Sequence, residues 1–248
     1  MEEILAAAKK LKIDVVCMTE HPQSPMGSLD EGWRGLHDGV LFIQGLELHQ
    51  QILAIGIRRR PAGDGRQALI DDIHAQGGVA LICHPEEVEA WDFDRIDGME
   101  IWNTHAAFKA VIKKPEAAGR ILKRIKTDPD HSFIELLHEP TDNLARWSSI
   151  AARRPIAMIA GNDAHQNVDF LGVKLDPYER SLGFVTTHIL ATELTETAIL
   201  DALRAGRSYV QFEILGSDPW QVGASQSVQQ ERYVAHYRDG LPWVYRPK

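Results

Sequence analysis

Apolar residues fall in short runs separated by stretches of helical periodicity, an alternation that predicts a mostly parallel α/β fold. Ile4, Leu5, Ala8 and Leu11 recur at helix spacing and predict an opening helix over 2–10 that packs one face on a sheet. Strand-like runs follow at 14–18, 40–46, 52–57, 79–82, 98–102, 156–160, 183–190 and 207–212. Helices are expected between them. One spans 67–75 and stops at Gly77-Gly78; one runs from about Pro115 to Lys126 with proline in its first turn. Another starts at Thr141 or Asp142, and the last spans 196–205 behind a Thr195 cap, with Gly206 at its end.

The segment from His21 to Gly39 is rich in Pro, Gly and Ser and long enough to form a lid, and 167–180 reads as a second rim loop. Beyond Gly216 the pattern fades. Residues 1–213 are therefore expected to form one α/β barrel domain, with 214–248 a tail that packs on it or stays partly irregular.

Composition narrows the function. The chain has 248 residues, 44% hydrophobic and 25% charged, enough to bury a core. A net charge of -8 disfavours a general nucleic-acid binder but not a small phosphorylated substrate, since bound divalent cations reverse the local field. Cys17 and Cys83 lie in apolar runs and read as buried thiols, not a disulfide framework. No apolar stretch reaches the roughly 20 residues needed to span a bilayer, and the N-terminus lacks the apolar core of a signal peptide. A cytoplasmic location is the expectation.

The candidate chemistry sits where apolar runs end: Thr19-Glu20-His21, Glu47-Leu48-His49, Cys83-His84-Pro85-Glu86 and Asn162-Asp163-Ala164-His165. Ends of parallel strands converge at one rim, so imidazoles and carboxylates there suggest metal-assisted hydrolysis. Asp163 and His165, two apart, project to one side of an extended backbone; an Asx turn beside a surface histidine is the plainer reading. His84 is held extended by Pro85 and points off the strand tip as a ligand or as a hydrogen-bonded structural residue. Glu86 and Glu87 suit a helix start. A carboxylate at Glu47 needs a cation or strong donors if buried, and His49 shares its face by alternation. His21 reads as a ligand or general acid, Glu20 as an ion-pair partner. His74 and His188 read as structural, His37, His131, His138 and His236 as loop or surface residues, and His105 is kept as a further candidate.

These motifs resemble the PHP (polymerase and histidinol phosphatase) superfamily, over about residues 2–213. Val15-Val16-Cys17-Met18-Thr19-Glu20-His21 is similar to the family's second motif, which usually ends Thr-Asp-His. Gln44-Gly45-Leu46-Glu47 resembles the motif whose Glu bridges two metals, and Cys83-His84-Pro85 its His-Pro motif. Met99-Glu100-Ile101-Trp102-Asn103 resembles the strand that follows, and Gly161-Asn162-Asp163-Ala164-His165 the Gly-Ser-Asp-Ala-His motif. Residues 198–210, with Ala202-Leu203-Arg204-Ala205-Gly206-Arg207, resemble the closing helix and strand.

The resemblance implies a distorted (β/α)7 barrel that binds up to three divalent ions, often Zn, Mn or Fe. Two departures are visible. The family's first strand, carrying His-x-His, would precede Met1, and the strand after Glu47 opens with Gln51 where the family has His. The expected ligands are thus His21, Glu47, His84, Asp163 and His165, with His49 as a substitute, holding fewer than three ions. The implied activity is phosphoester or related ester hydrolysis of a small molecule, with Glu47, Asp163 and His165 catalytic. Arg34, in the lid segment, reads as a phosphate partner through its guanidinium or, as the weightier alternative, as a solvated loop arginine. The alternative is a degenerate or N-terminally truncated barrel with weak metal binding and a scaffold role, in which a homodimer could hide an exposed sheet edge.

Overall fold

The computed structural model of the chain describes residues 1–23, 29–166, 169–170, 173–174, 176–213, 234–238 and 241–245. Helix α1 (Glu2–Leu11) ends at Lys12, whose left-handed backbone (φ 58) turns the chain into β1 (Val15–Met18). β2 (Gly35–His37), β3 (Val40–Leu48) and β4 (Ile52–Ile55) follow; β1 lies parallel beside β3, while β2 and β4 run antiparallel to it. Helix α2 (Arg66–Ala75) returns the chain to β5 (Val79–Ile82) and then β6 (Gly98–Asn103). Three helices, α3 (Thr104–Ile112), α4 (Pro115–Thr127) and α5 (Thr141–Ala151), precede β7 (Ala157–Gly161). β5, β6 and β7 are mutually parallel. The sheet is seven-stranded, ordered β1-β3-β4-β5-β6-β7 with β2 beside β3. The fold is mixed α/β, with the sheet curled into a half-barrel.

Smaller elements complete the chain. β8 (Asp169–Phe170) pairs with β9 (Val173–Lys174), and α6 (Tyr178–Leu182) follows. β10 (Thr186–Ile189) and β11 (Ser208–Gln211) form an antiparallel pair around α7 (Glu196–Arg204). β12 (Val234–Arg238) and β13 (Leu241–Tyr245) form a separate hairpin.

The strands are apolar on both faces because both faces are covered. On β3, Leu41 and Ile43 face inward with Ile55, Val79, Leu81, Ala157 and Ile159, and α7 plugs this concave side with Ile199, Leu200 and Leu203. Val40 and Phe42 face outward under α1, packed with Ile4, Ala8 and Val16. The outer faces of β4, β5 and β7, through Ile52, Ala54, Ala80, Ile82 and Met158, pack on α2 and α5. The period of two therefore carries inward-facing positions forward to the strand ends: 43 to 45 to 47, 81 to 83, and 159 to 161 to 163.

The far edge of β7 is satisfied by hydroxyls. Ser208 Oγ accepts from Met158 N–H (3.0 Å) and donates to Met158 O (2.8 Å), and Thr187 Oγ1 accepts from Ala160 N–H (2.9 Å). The β10–β11 pair thus meets the backbone groups that a neighbouring strand would otherwise meet.

Several expectations change. The alternation missed α3, whose start is set by Asn103, the Oδ1 of which accepts from Ala106 N–H (2.9 Å). The 21–39 segment is not wholly a lid: β2 joins the sheet, while residues 24–28 lie outside the described residues. Within 167–180 the described part includes β8, β9 and the start of α6. The expected boundary at 213 falls where continuous description stops, and the tail lies outside it apart from the β12–β13 hairpin. No helix among the described residues is long and apolar enough to cross a membrane.

Candidate metal centre

The strands deliver their polar ends to one cleft of about 280 Å³, lined among others by Glu20, Glu47, Cys83, His84, Glu100, Asp163 and His165. Two carboxylates link the imidazoles. Glu47 lies 4.0 Å from His21 Nε2 through one oxygen and 3.7 Å from His84 Nε2 through the other. Asp163 lies 3.6 Å from His84 Nε2 and 2.6 Å from His165 Nε2. The His21 and His165 rings stack at 5.9 Å, and His105 meets His165 edge-on at 5.6 Å. Five residues from four strand ends, His21, Glu47, His84, Asp163 and His165, therefore surround one space.

Backbone strain helps place them. His84 is left-handed (φ 45, ψ 53), not extended as the following proline led us to expect. Cys83 follows Leu81 on the inward face, so an extended His84 would point away; the left-handed turn brings it to the same side. Asp163 is also left-handed (φ 50). Strain of this kind persists where the surroundings enforce it. At His84 the enforcing group is Glu100, whose Oε2 accepts the His84 N–H at 2.9 Å. Glu100 also faces Asn103 Nδ2 at 3.3 Å and is 2% exposed. Gly161 makes room for it: a Cβ there would stand 2.0 Å from Glu100 Oε1.

The electrostatics are those of buried carboxylates and imidazoles acting on one another. Burial pushes the Glu100 carboxyl up to about 8 against the opposing pull of His84, and burial also raises Glu47, opposed by His21 and reinforced by Asp163. For Asp163, burial acts upward but the hydrogen bond from His165 and the neighbouring imidazoles prevail, so its pKa falls. His165 rises in turn, chiefly through Asp163, and His105 is lowered, chiefly by burial. Carboxylates, led by Glu86 and joined by Glu100, Asp163 and Glu47, hold His84 up at about 9 against burial. The Glu86 contact, at 3.8 Å, is an ion pair and too long for a hydrogen bond, and the buried His84 Nδ1 has no hydrogen-bond partner among the described residues.

Two expected residues are not brought here. His49 falls on the turn after β3, where Gln50 (φ 70) and Gln51 (φ 57) are left-handed; it is exposed and its Nε2 faces Gln23 Nε2 at 2.8 Å. The tight turn ends the alternation that would have kept it beside Glu47, which corrects its assignment as a ligand. Arg34 is committed elsewhere: Nη1 to Glu196 (2.9 Å), Nε to Glu31 (2.9 Å) and Nη2 to Ile57 O (2.6 Å). Glu47 pairs with Leu53, and Ile57 lies four residues further along the antiparallel β4 direction, about 13 Å away. Arg34 thus sits toward the opposite rim, which corrects its phosphate role.

Sequence reasoning gave no role to Cys83 or Glu100. Both were legible in the inward register of their strands. Cys83 is 1% exposed, and its thiol is driven up by burial and then by Glu100 and Glu47. Glu47, Cys83 and His84 each offer a donor atom, all within 4.8 Å of one another, a group able to hold a metal ion. Cys17 corrects the other thiol expectation: it is exposed, opening on the cleft, while both cysteines are free as expected.

No family model matches the sequence, and no curated protein matches it. Among solved structures, the fold is similar to that of a two-domain protein from Bacteroides vulgatus containing a predicted PHP-like metal-dependent phosphoesterase. The TM-score is 0.52 at 16% identity over 85% of this chain. The chain spans 60% of that protein's length. At this identity the likeness speaks for the fold.

Proposed function

We propose that this chain is a divalent-metal-dependent hydrolase of small phosphoesters or related esters, built on a distorted barrel of the PHP type. The observation that carries the reading is the sharing of Glu47 and Asp163 among His21, His84 and His165 in one cleft. Buried carboxylates facing imidazoles across one cleft, with His84 Nε2 between Glu47 and Asp163, fit cation binding better than they fit a packed core. His21, Glu47, His84, Asp163 and His165 would hold the ions. Bound divalent cations supply water activation near neutral pH and neutralise charge developing on a phosphoryl group.

The chain's own residues do the rest. Glu47 presents one oxygen to each side of the cleft, and Asp163 orients His165 through its 2.6 Å contact. Glu100 and Asn103 fix the strand-end backbone from beneath. The similar fold of a protein containing a PHP-like phosphoesterase supports the same reading. The test is elemental analysis of purified protein followed by turnover of a generic phosphoester with added zinc or manganese. Stoichiometric divalent metal and metal-dependent turnover are expected; metal-free protein that takes up no cation would overturn the reading. A second reading, a non-catalytic barrel engaging a partner, draws on β1, whose far edge pairs with no strand among the described residues. Metal binding without turnover would favour it.

A further inference from the structure

We propose that Cys83 is a thiolate ligand, forming with Glu47 and His84 a mixed-donor position that selects zinc-class cations over manganese and magnesium. This rests on the reading that the cleft holds cations, and it decides which kind.

The argument begins with register. Val79 and Leu81 face the concave side of the sheet, so Cys83, two residues on, faces it too, at the strand's last inward position. Adjacent residues on an extended strand point to opposite faces, yet the imidazole of His84 shares this space with Cys83. The left-handed backbone at His84 achieves this, and Glu100 enforces it through the His84 N–H. Cys83-His84 is thereby a two-donor clip, and Glu47 supplies the third donor, its Oε1 3.7 Å from His84 Nε2.

The separations suit one ion. An ion about 2.0–2.1 Å from N and O donors and about 2.3 Å from sulfur keeps its donors roughly 3.3–3.7 Å apart. The three donor atoms here lie within 4.8 Å of one another, so small side-chain rotations close the shell. The surroundings argue against a merely packed thiol. Glu47 and Asp163 stand 3.7 and 3.6 Å from His84 Nε2 in the cleft that Cys83 lines, and a cation there turns those carboxylates from a liability into support. Thiolate donors favour zinc-class ions, whereas carboxylate and water sites suit magnesium and manganese. Asp163, His165 and His21 offer oxygen and nitrogen alone, so Cys83 is what makes the position it shares with Glu47 and His84 softer than the rest of the cleft.

Cobalt(II) titration of the metal-free full-length protein tests this, with absorption spectra and cobalt content read together. Wild-type protein and Cys17→Ser should show a near-ultraviolet thiolate-to-cobalt charge-transfer band. Cys83→Ser should bind cobalt without that band, with affinity lower by roughly ten-fold or more. Zinc should abolish the wild-type band at stoichiometric amounts, while excess manganese or magnesium leaves it. Cys83→Ala gives a second variant should the serine protein fail to fold, with circular dichroism as the folding check. Cobalt bound by wild type without the band, or a band that survives both Cys83 substitutions, would overturn the thiolate assignment and leave the metal-centre reading standing. Wild-type protein that binds no cobalt would remove both.

Discussion

The two rims of the sheet use polar residues in opposite ways. At the N-terminal rim several charged side chains are tied to backbone. Arg154 Nη1 donates to Ile96 O (2.6 Å), Arg204 Nη2 donates to Gly77 O and Gly78 O, and Asp97 accepts from Ala80 N–H (2.8 Å) while facing His74 (2.8 Å). At the C-terminal rim carboxylates and imidazoles face one another across the cleft, with His84 and Asp163 on left-handed backbone. The first pattern stitches strand starts together and serves stability. The second leaves donors directed at something else, the division expected of barrel-like sheets.

The comparison breaks first at the metal. Asp163→Ala with His165→Ala should remove most bound divalent cation, measured by elemental analysis, with little loss of fold; unchanged metal content would erase the distinction between the rims. Arg34→Ala should do the reverse. The Arg34–Glu196 pair has side chains 9% and 19% exposed, and because Glu196 keeps Arg58 at 3.5 Å, removing Arg34 costs about 1–3 kcal/mol. Denaturant titration should show that loss while cobalt affinity stays as in wild type. Arg154→Ala strips donors from two carbonyls and should cost about 1–3 kcal/mol with no change in metal content.

A pH prediction sharpens the same contrast. Glu100 binds its proton more tightly folded (about 8, mainly from burial) than at its ordinary value of 4.5. His84 likewise holds its proton up to about 9 against an ordinary 6.5, led by Glu86. Between those limits the folded state carries more protons than the unfolded one, so stability falls as pH rises. Their contribution is complete below about 4.5 and is lost through about 9. Metal-free protein should therefore lose stability between pH 5 and 9, and Glu100→Gln should flatten the lower part of that slope. Smallest of all, His49→Ala should leave metal binding unchanged, because its contact is with Gln23 at the exposed turn.

Most of the helices and strands, though not α3 or β2, and the strand ends that bear chemistry were legible in the chain because alternation and capping are local. The first helix, β5 at 79–82 and the Thr195 cap, whose Oγ1 accepts from Ala198 N–H, follow from residues a few positions apart. Period-two counting also pointed inward at Glu47 and Asp163. What the sequence could not decide depended on groups distant along the chain. The turn at His84 needs Glu100, sixteen residues on, and Glu100 needs the bare Cα of Gly161. Arg34 finds Glu196 162 residues away and is drawn from the cleft. A short turn removes His49 and leaves Cys83 beside Glu47 and His84. Local sequence sets which face a side chain takes, but only folding fixes which partners meet there, because contact energies between distant residues exist only once the sheet has curled.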